Sequence, residues 1–439
     1  MKRLTSILFA ACIALTMTAQ TAREEIKANK FLSASNYLDY DNYPATKALT
    51  PTPKGYEPYL MNHYGRHGSR WLIGETSYTR PLETLRKAKE QGKLTATGED
   101  VLRQVEAIYA TSDQRLGDLS SVGERQHHGI GKRMAQNFPE IFKQPNVPID
   151  ARSTVVIRCI LSMEAECEEL AAANPTARFH NDVSQALQYY LNQPSTPYLK
   201  EMRKKTRAVR REWQRKLMDE CPTEHLTSQL FNDAQWAADS IKAPELMYQL
   251  FEVASNMQSH ELGLDLYPIF TADELYQQWR IRNIGWYLDY GAAPQGEGVQ
   301  PFSQLNLLKD IIQVADTTTQ TSAVLRFGHE VCVMPLACLL ELDSCGMSTD
   351  DLGNLDQHWR NYRIFPMACN VQLVFYRPVK GKGDILVKAL LNEREVSLPV
   401  KTKKYPYYKW ADVRQHYMER INWFESLQSA FDAKATDNQ

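Results

Sequence analysis

Three times in this chain a strand-like run leads, with no spacer, into a polar turn or a helix. Tyr56–Tyr64 runs into Gly65-Arg66-His67-Gly68-Ser69-Arg70. Val147–Val156 is followed by a helix over 158–173, and Ser322–Phe327 opens into Gly328-His329-Glu330 and a helix over 334–342. Strands feeding directly into helices predict an α/β fold, with a mostly parallel sheet and helices on both faces. In such sheets ligands sit beyond the carboxyl ends of the strands, where strand order reverses. The polar segments all fall at predicted strand ends.

Between the second and third junctions the pattern changes. From about residue 173 to 320 the chain reads as helix-rich and strand-poor, with amphipathic stretches over 197–218, 227–259 and 271–291 and a Gly/Pro-bearing loop over 291–298. Helices are also expected over 79–91 and 97–111, and Ser121 stands in capping-box register with Glu124. Strands are expected over 370–377, 385–392 and 396–400, with a closing helix over 410–433. This divides the chain into the first part of an α/β domain (55–170), an α-helical cap insertion (171–320) and the second part of the α/β domain (321–439). Residues 23–54 form an N-terminal arm without clear periodicity.

The first 22 residues read as a signal peptide. Lys2 and Arg3 precede the mostly apolar run Leu4 to Met17, and small residues follow at Thr18, Ala19 and Ala22. That run is too short for a comfortable membrane span, and no later segment approaches 18 uninterrupted apolar residues. A periplasmic or extracellular, not membrane-spanning, protein is expected. Cys12 follows Phe-Ala-Ala as in a lipid-anchor site, but it lies inside the apolar run and precedes Ile-Ala-Leu, which argues against anchoring. The other cysteines are Cys159, Cys167, Cys221, Cys332, Cys338, Cys345 and Cys369; they form no C-x-x-C pair, so no zinc site is expected. Their odd number leaves at least one thiol unpaired within the chain. Lys+Arg 51 against Asp+Glu 52 gives no domain-wide basic excess, so nucleic acid is not an expected partner. Affinity for anions has to come from local clustering.

Such clustering occurs at Arg66-His67-Gly68-Ser69-Arg70, where two guanidiniums flank one imidazole and Gly68 permits a tight turn. Arginine presents a planar fork of donors that suits phosphate oxygens. A histidine held among such groups can attack phosphorus, because fixed positive charge stabilises the oxygens as they gain charge. The bland alternative is a basic surface turn with a satisfied histidine. Arg158 opens a helix, where a cation opposes the macrodipole unless an anion lies nearby.

Arg-His-Gly-x-Arg after an N-terminal strand resembles the signature of the histidine phosphatase superfamily, and the length and insertion resemble its acid phosphatase/phytase branch. Three further segments agree: Leu119-Ser120-Ser121-Val122-Gly123-Glu124-Arg125-Gln126, then Arg152-Ser153-Thr154 with Arg158 and Ser162, then Gly328-His329-Glu330. Phe270-Thr271-Ala272-Asp273-Glu274-Leu275, with Trp279 and Asn283, is most similar to the bacterial multiple inositol polyphosphate phosphatases. The resemblance implies a phosphoglycerate mutase-like fold and an exported phosphatase for phosphomonoesters such as phytate. It implies that His67 becomes a phosphohistidine, with Arg66, Arg70, Arg158 and His329 around the phosphoryl group and Glu330 as proton donor. It also implies no cofactor and no metal, since arginines supply the charge a metal supplies elsewhere. If His329 acts as a cation, an acidic to near-neutral optimum follows.

Some details depart from the family pattern. Glu330 stands where the branch usually has Asp, Val331 stands where the subgroup more often has Glu, and Trp71-Leu72 replaces an expected Pro. Glu330 is therefore either the donor or a structural carboxylate at a helix start, and Trp71 either narrows the pocket mouth or packs. Arg152 either orients its loop or faces solvent, and His127-His128 reads as a surface pair. In the insertion, Lys200, Arg203, Lys204, Arg207, Arg210 and Arg211 form one helical stripe. Arg203, Arg207 and Arg210 are the candidate substrate-binding residues, the alternative being a solvated face. A broad acid phosphatase for small monoesters and a non-catalytic binder of phosphate esters are the competing functions.

Overall fold

The computed structural model describes residues 20–43 and 48–437. The apolar run and Cys12 of the expected signal peptide lie outside these residues. Among the described residues eight strands form one sheet: β1 (Tyr56–Arg66), β2 (Pro148–Ser153), β3 (Arg178–Asp182), β4 (Ser322–Gly328), β5 (Asn370–Pro378), β6 (Leu386–Leu391), β7 (Arg394–Val396) and β8 (Tyr408–Lys409). Their order is β3-β2-β4-β1-β5-β6-β7, and β8 pairs with β6.

The sheet is mixed, which corrects the expectation of a mostly parallel one. β1, β2, β3 and β4 pair in parallel, whereas β5 runs antiparallel to β1 and β6 antiparallel to β5, β7 and β8. The physical reason is connection length. The link from Pro378 to Leu386 is too short for a parallel crossover, and Asn392 and Glu393 adopt positive φ in the hairpin turn between β6 and β7.

Alternation along the strands puts an apolar layer on each face. Leu60, Tyr64, Leu373 and Phe375 join one core with the helices Leu305–Thr317, Glu330–Leu339 and Trp410–Asp437. Met61, Val374, Ile149 and Leu325 join another with the helices Ser121–Asn137 and Ile157–Ala173. A third core is helical, built from Thr76–Glu90, Ala96–Thr111, Ala243–Met257 and Ala272–Tyr290. Residues 20–43 contribute Ala22, Ile26, Leu32 and Leu38 to it, with Thr21 capping the helix Ala22–Ala28. The segment expected as an aperiodic arm is thus packed, through one short helix and a run of 3-10 turns over Lys30–Tyr37.

Several element boundaries differ from expectation. The stretch 227–259 divides into the helices Glu224–Leu230, Ala234–Ser240 and Ala243–Met257, because Asp233 caps the second and Pro244 opens the third. The helix Ser121–Asn137 is capped by Ser120 rather than Ser121, its hydroxyl accepting from the Gly123 N–H. β3 and β8 were not anticipated; β3 is short and charged, and β8 has two residues. β7 ends at Val396 rather than reaching residue 400. All seven cysteines among the described residues are free and buried.

β1, β4 and the helix Leu305–Thr317 are tied by a buried charge. Arg326 on β4 is fully buried; it donates from Nε (2.9 Å) and Nη2 (2.5 Å) to the Asp310 carboxylate and from Nη1 to the Asn62 side-chain carbonyl. Removing one partner leaves the other charge uncompensated. Asp310→Ala is therefore expected to lower unfolding free energy by about 3–5 kcal/mol in urea titration, and a loss below about 1 kcal/mol would contradict this role.

Candidate active site

The register of β1 and β4 places Arg66 opposite Gly328, and that of β2 and β4 places Ser153 opposite Phe327. The residues that follow these strand ends, His67, Thr154 and His329, are thereby brought to one edge of the sheet. The backbone bonds continue past the strands: His67 N–H donates to the Gly328 carbonyl (3.0 Å) and Thr154 N–H to the Phe327 carbonyl (3.0 Å).

The turn after β1 is pressed against the helix Ser121–Asn137. A Cβ on Gly68 would overlap the Gly123 backbone, and one on Gly123 would overlap the Ser69 backbone. This close approach explains the glycine in the segment Leu119–Gln126. Around it, Gly68 N–H donates to Ser162 Oγ (3.1 Å), Ser69 N–H to Gln126 Oε1 (2.9 Å) and Ser120 N–H to the Ser69 carbonyl (2.9 Å).

His67 is fully buried. Its Nδ1 lies 2.8 Å from the Gly68 carbonyl, an acceptor only, so Nδ1 carries the proton and Nε2 keeps a lone pair. That Nε2 has no hydrogen-bond partner and lies 3.6 Å from Glu330 Oε2. Burial holds the imidazole's pKa well below its usual value, and the charge of Arg66 acts in the same direction, against the pull of Glu330.

Three guanidiniums share this locus electrostatically. Arg66 is fully buried; Nη1 donates to the carbonyls of Asn36, Phe365 and Pro366, Nε lies 3.2 Å from Glu330 Oε2, and Nη2 has no partner. Arg70 donates to the Trp71 carbonyl (2.8 Å), and Arg158 to the Gly117 carbonyl (3.3 Å); the Nε of each is buried without a partner. Burial would push the Glu330 carboxyl up, but Arg66, His67 and Arg70 hold it well below the usual range. Glu330 is therefore ionised in the empty pocket.

His329 lies against His67 with ring centroids 5.7 Å apart, and its Nε2 is 3.3 Å from Thr154 Oγ1. Burial, reinforced by the neighbouring arginines, lowers its pKa to about 4. In the empty pocket burial thus favours the neutral imidazole near neutral pH, so a cationic His329 would require a bound anion to raise it. His67, His329 and Glu330 have ligand atoms within 4.8 Å of one another, a spacing that also suits a metal ion. The unpartnered guanidinium nitrogens around them repel a cation and offer donors to an anion.

The other predicted residues fall differently. Arg152 points away, paired with Asp150 and donating to the Tyr190 hydroxyl (2.9 Å). Trp71 packs between Arg115, 4.2 Å above its ring, and His260, at 4.7 Å between ring centroids. Arg203 is half-buried, donating to Gln300 (3.2 Å) and Gln193 (3.3 Å) and lying 5.0 Å over the Tyr290 ring. Gln193 in turn donates to the Val331 carbonyl (3.0 Å), next to Glu330. Arg210 pairs with Asp289, and Arg207 is exposed.

Sequence reading missed several neighbours. His127 is no surface residue: it is buried, bonding Glu166 through Nδ1 (3.1 Å) and the Arg66 carbonyl through Nε2 (3.1 Å). Ile130 and Met134, three and seven residues after His127 on the same helical face, were the available signal. Tyr37 carries Arg70 5.6 Å over its ring and comes from the segment read as an arm. Two cavities, of about 1040 and 1000 Å³, contain none of these residues.

The model of the family described as histidine phosphatase superfamily (branch 2) matches residues 64–392. No curated protein matches the sequence. Among solved structures, Bifidobacterium longum multiple inositol polyphosphate phosphatase in complex with inositol hexasulfate is similar, at 19% identity and TM-score 0.69, over 88% of this chain and 97% of that one. The phytase from D. castellii is similar at 14% identity and TM-score 0.65, over 89% and 85% of the two chains. The Hafnia alvei phytase gives 12% identity and TM-score 0.50, over 84% and 98%. At these identities the likeness is one of fold. The matched family model, spanning the three strand ends and the pocket they form, carries the assignment: the chain belongs to branch 2 of the histidine phosphatase superfamily and is a phosphomonoester hydrolase.

Proposed function

We propose that this protein is an exported phosphatase that hydrolyses inositol polyphosphates such as phytate through a phosphohistidine. The observation that carries the mechanism is the bare, buried Nε2 of His67 beside three guanidiniums and one carboxylate. His67 Nε2 attacks phosphorus, and the ester P–O bond breaks as the leaving oxygen takes a proton from Glu330. Water then attacks the phosphohistidine, Glu330 takes its proton, the P–Nε2 bond breaks to return the lone pair to His67, and phosphate departs. Arg66, Arg70 and Arg158 hold the phosphoryl oxygens throughout, with His329 donating a hydrogen bond. Splitting the reaction in two through a covalent enzyme is nucleophilic catalysis.

Glu330 is ionised when the pocket is empty, so its proton has to arrive with the substrate. A phosphate monoester loses its second proton near pH 6. The monoanion brings the proton in, and its charge raises the Glu330 pKa by repulsion. Expected is a kcat/KM that falls about tenfold per unit above about pH 6, as the monoanion is lost. A flat profile to pH 8 would contradict this proton source.

Polyphosphate preference is supported by Arg203, which Gln193 ties to the backbone beside Glu330, and by Tyr290, whose ring it covers. Arg203 is the residue read as contacting a second phosphate; Arg207 is exposed beside it. The B. longum enzyme of like fold holds inositol hexasulfate, a polyanion of the same shape class. Pairing of Arg210 with Asp289 removes one cation from the stripe and favours the second reading, a broad acid phosphatase. Export is supported by Lys2, Arg3 and the apolar run after them. Removal of all 22 expected residues would take Thr21 and Ala22 from the helix Ala22–Ala28, so processing ahead of Thr21 fits the packing better than the boundary read from the sequence.

Phosphate release from phytate and from 4-nitrophenyl phosphate separates these readings. Efficiency on phytate equal to or above that on the aryl ester is expected, and little phytate cleavage with rapid aryl turnover would make the protein a general acid phosphatase. His67→Ala is expected to abolish both activities. Glu330→Gln is expected to lower kcat/KM, which reports the first displacement, by about 10²–10⁴ on phytate and far less on the aryl ester, whose leaving group needs no proton. A folded His67→Ala protein that keeps more than a few per cent of activity would refute the nucleophile.

A further inference from the structure

The stretch containing Trp279 and Asn283 has no part in the mechanism above, yet it ends at Arg66. Trp279 Nε1 donates to Asn361 Oδ1 (2.8 Å), and the Asn361 backbone N–H donates to Asn283 Oδ1 (2.9 Å). Asn361 Nδ2 donates to Ser35 Oγ (2.6 Å), and all four residues are buried. Ser35 has φ 62° and ψ −119°, a conformation favoured by glycine and costly for serine. The residue after it, Asn36, turns its carbonyl onto Arg66 Nη1. The Asn361 carbonyl also accepts from the N–H groups of Ile364 (2.9 Å) and Phe365 (3.1 Å), forming the turn whose Phe365 and Pro366 carbonyls meet the same Nη1.

One side chain therefore joins both sources of the carbonyls that hold Arg66. We propose that Asn361 is a positioning residue of the phosphate pocket: it clips residues 35–37 to the turn after it and so builds the carbonyl cradle that leaves Arg66 Nε and Nη2 aimed at the phosphoryl group. Without the clip, Ser35 relaxes to a common backbone conformation, the Asn36 carbonyl swings away, and Nη1 loses its anchor. Tyr37, one residue further on and stacked with Arg70, moves with it. A segment distant in sequence from every catalytic group thus sets the geometry of two arginines. The inference rests on the reading of the pocket as a phosphate site.

Calorimetric titration of the full chain with inorganic phosphate, alongside kcat/KM on 4-nitrophenyl phosphate, tests it. Asn361→Ala is expected to weaken phosphate at least tenfold and lower kcat/KM by a similar factor. Ser35→Gly and Ser35→Val provide the second arm: both lose the hydroxyl, but only glycine holds φ 62° without strain. Ser35→Gly is expected within threefold of the parent in phosphate affinity, Ser35→Val at least tenfold weaker, and Ser35→Gly added to Asn361→Ala is expected to restore most of the loss. Phosphate affinity of folded Asn361→Ala within twofold of the parent, or equal affinities for Ser35→Gly and Ser35→Val, would overturn the cradle while leaving the pocket reading intact. Failure of the unaltered protein to bind phosphate would overturn both.

Discussion

Everything in this molecule depends on three arginines crowded around one carboxylate at the ends of the strands. Taking cations out of water is costly unless each finds compensation. Arg66 finds it in three backbone carbonyls and Glu330, and Arg70 and Arg158 each in one carbonyl. The compensation is incomplete: buried nitrogens of all three remain unpartnered. In the proposed reaction a phosphate monoester monoanion supplies what is missing; until it arrives, burial keeps His67 neutral and the arginines keep Glu330 ionised.

The scaffold exists to hold that arrangement rigid. β1 and β4 pair in parallel so that Arg66 and Gly328 face one another, and Arg326 locks their interior with Asp310 and Asn62. The Gly68–Gly123 approach fixes the turn that carries His67. Each is a short-range fact that decides where a reacting atom stands. Displacement of about 1 Å can cost two orders of magnitude in rate.

Much of this was legible in the amino-acid sequence because the chemistry sits at strand ends. Arg66, His67, Arg70, Arg158, His329 and Glu330 lie in segments where periodicity changes abruptly, and those segments do converge. What could not be read is what arrives from elsewhere in the chain. Asn36 and Tyr37 come from a stretch without periodicity, and their use depends on the unusual backbone at Ser35. His127 looks exposed beside His128, yet it reaches the Arg66 carbonyl because its helix packs on the turn after β1. The basic stripe was visible, but Asp289, which removes Arg210 from it, lies 79 residues away. The sheet's antiparallel half was missed for a related reason: strand segments carry their own periodicity but not the direction of their neighbours.

The proposed hydrolysis runs by two displacements through His67. The stereochemical course at phosphorus measures this directly, using an aryl phosphate made chiral with oxygen isotopes and an alcohol as the acceptor. Two in-line transfers each invert the centre, so net retention of configuration is predicted. Net inversion would mean that the acceptor attacks the ester directly, and it would contradict the covalent mechanism.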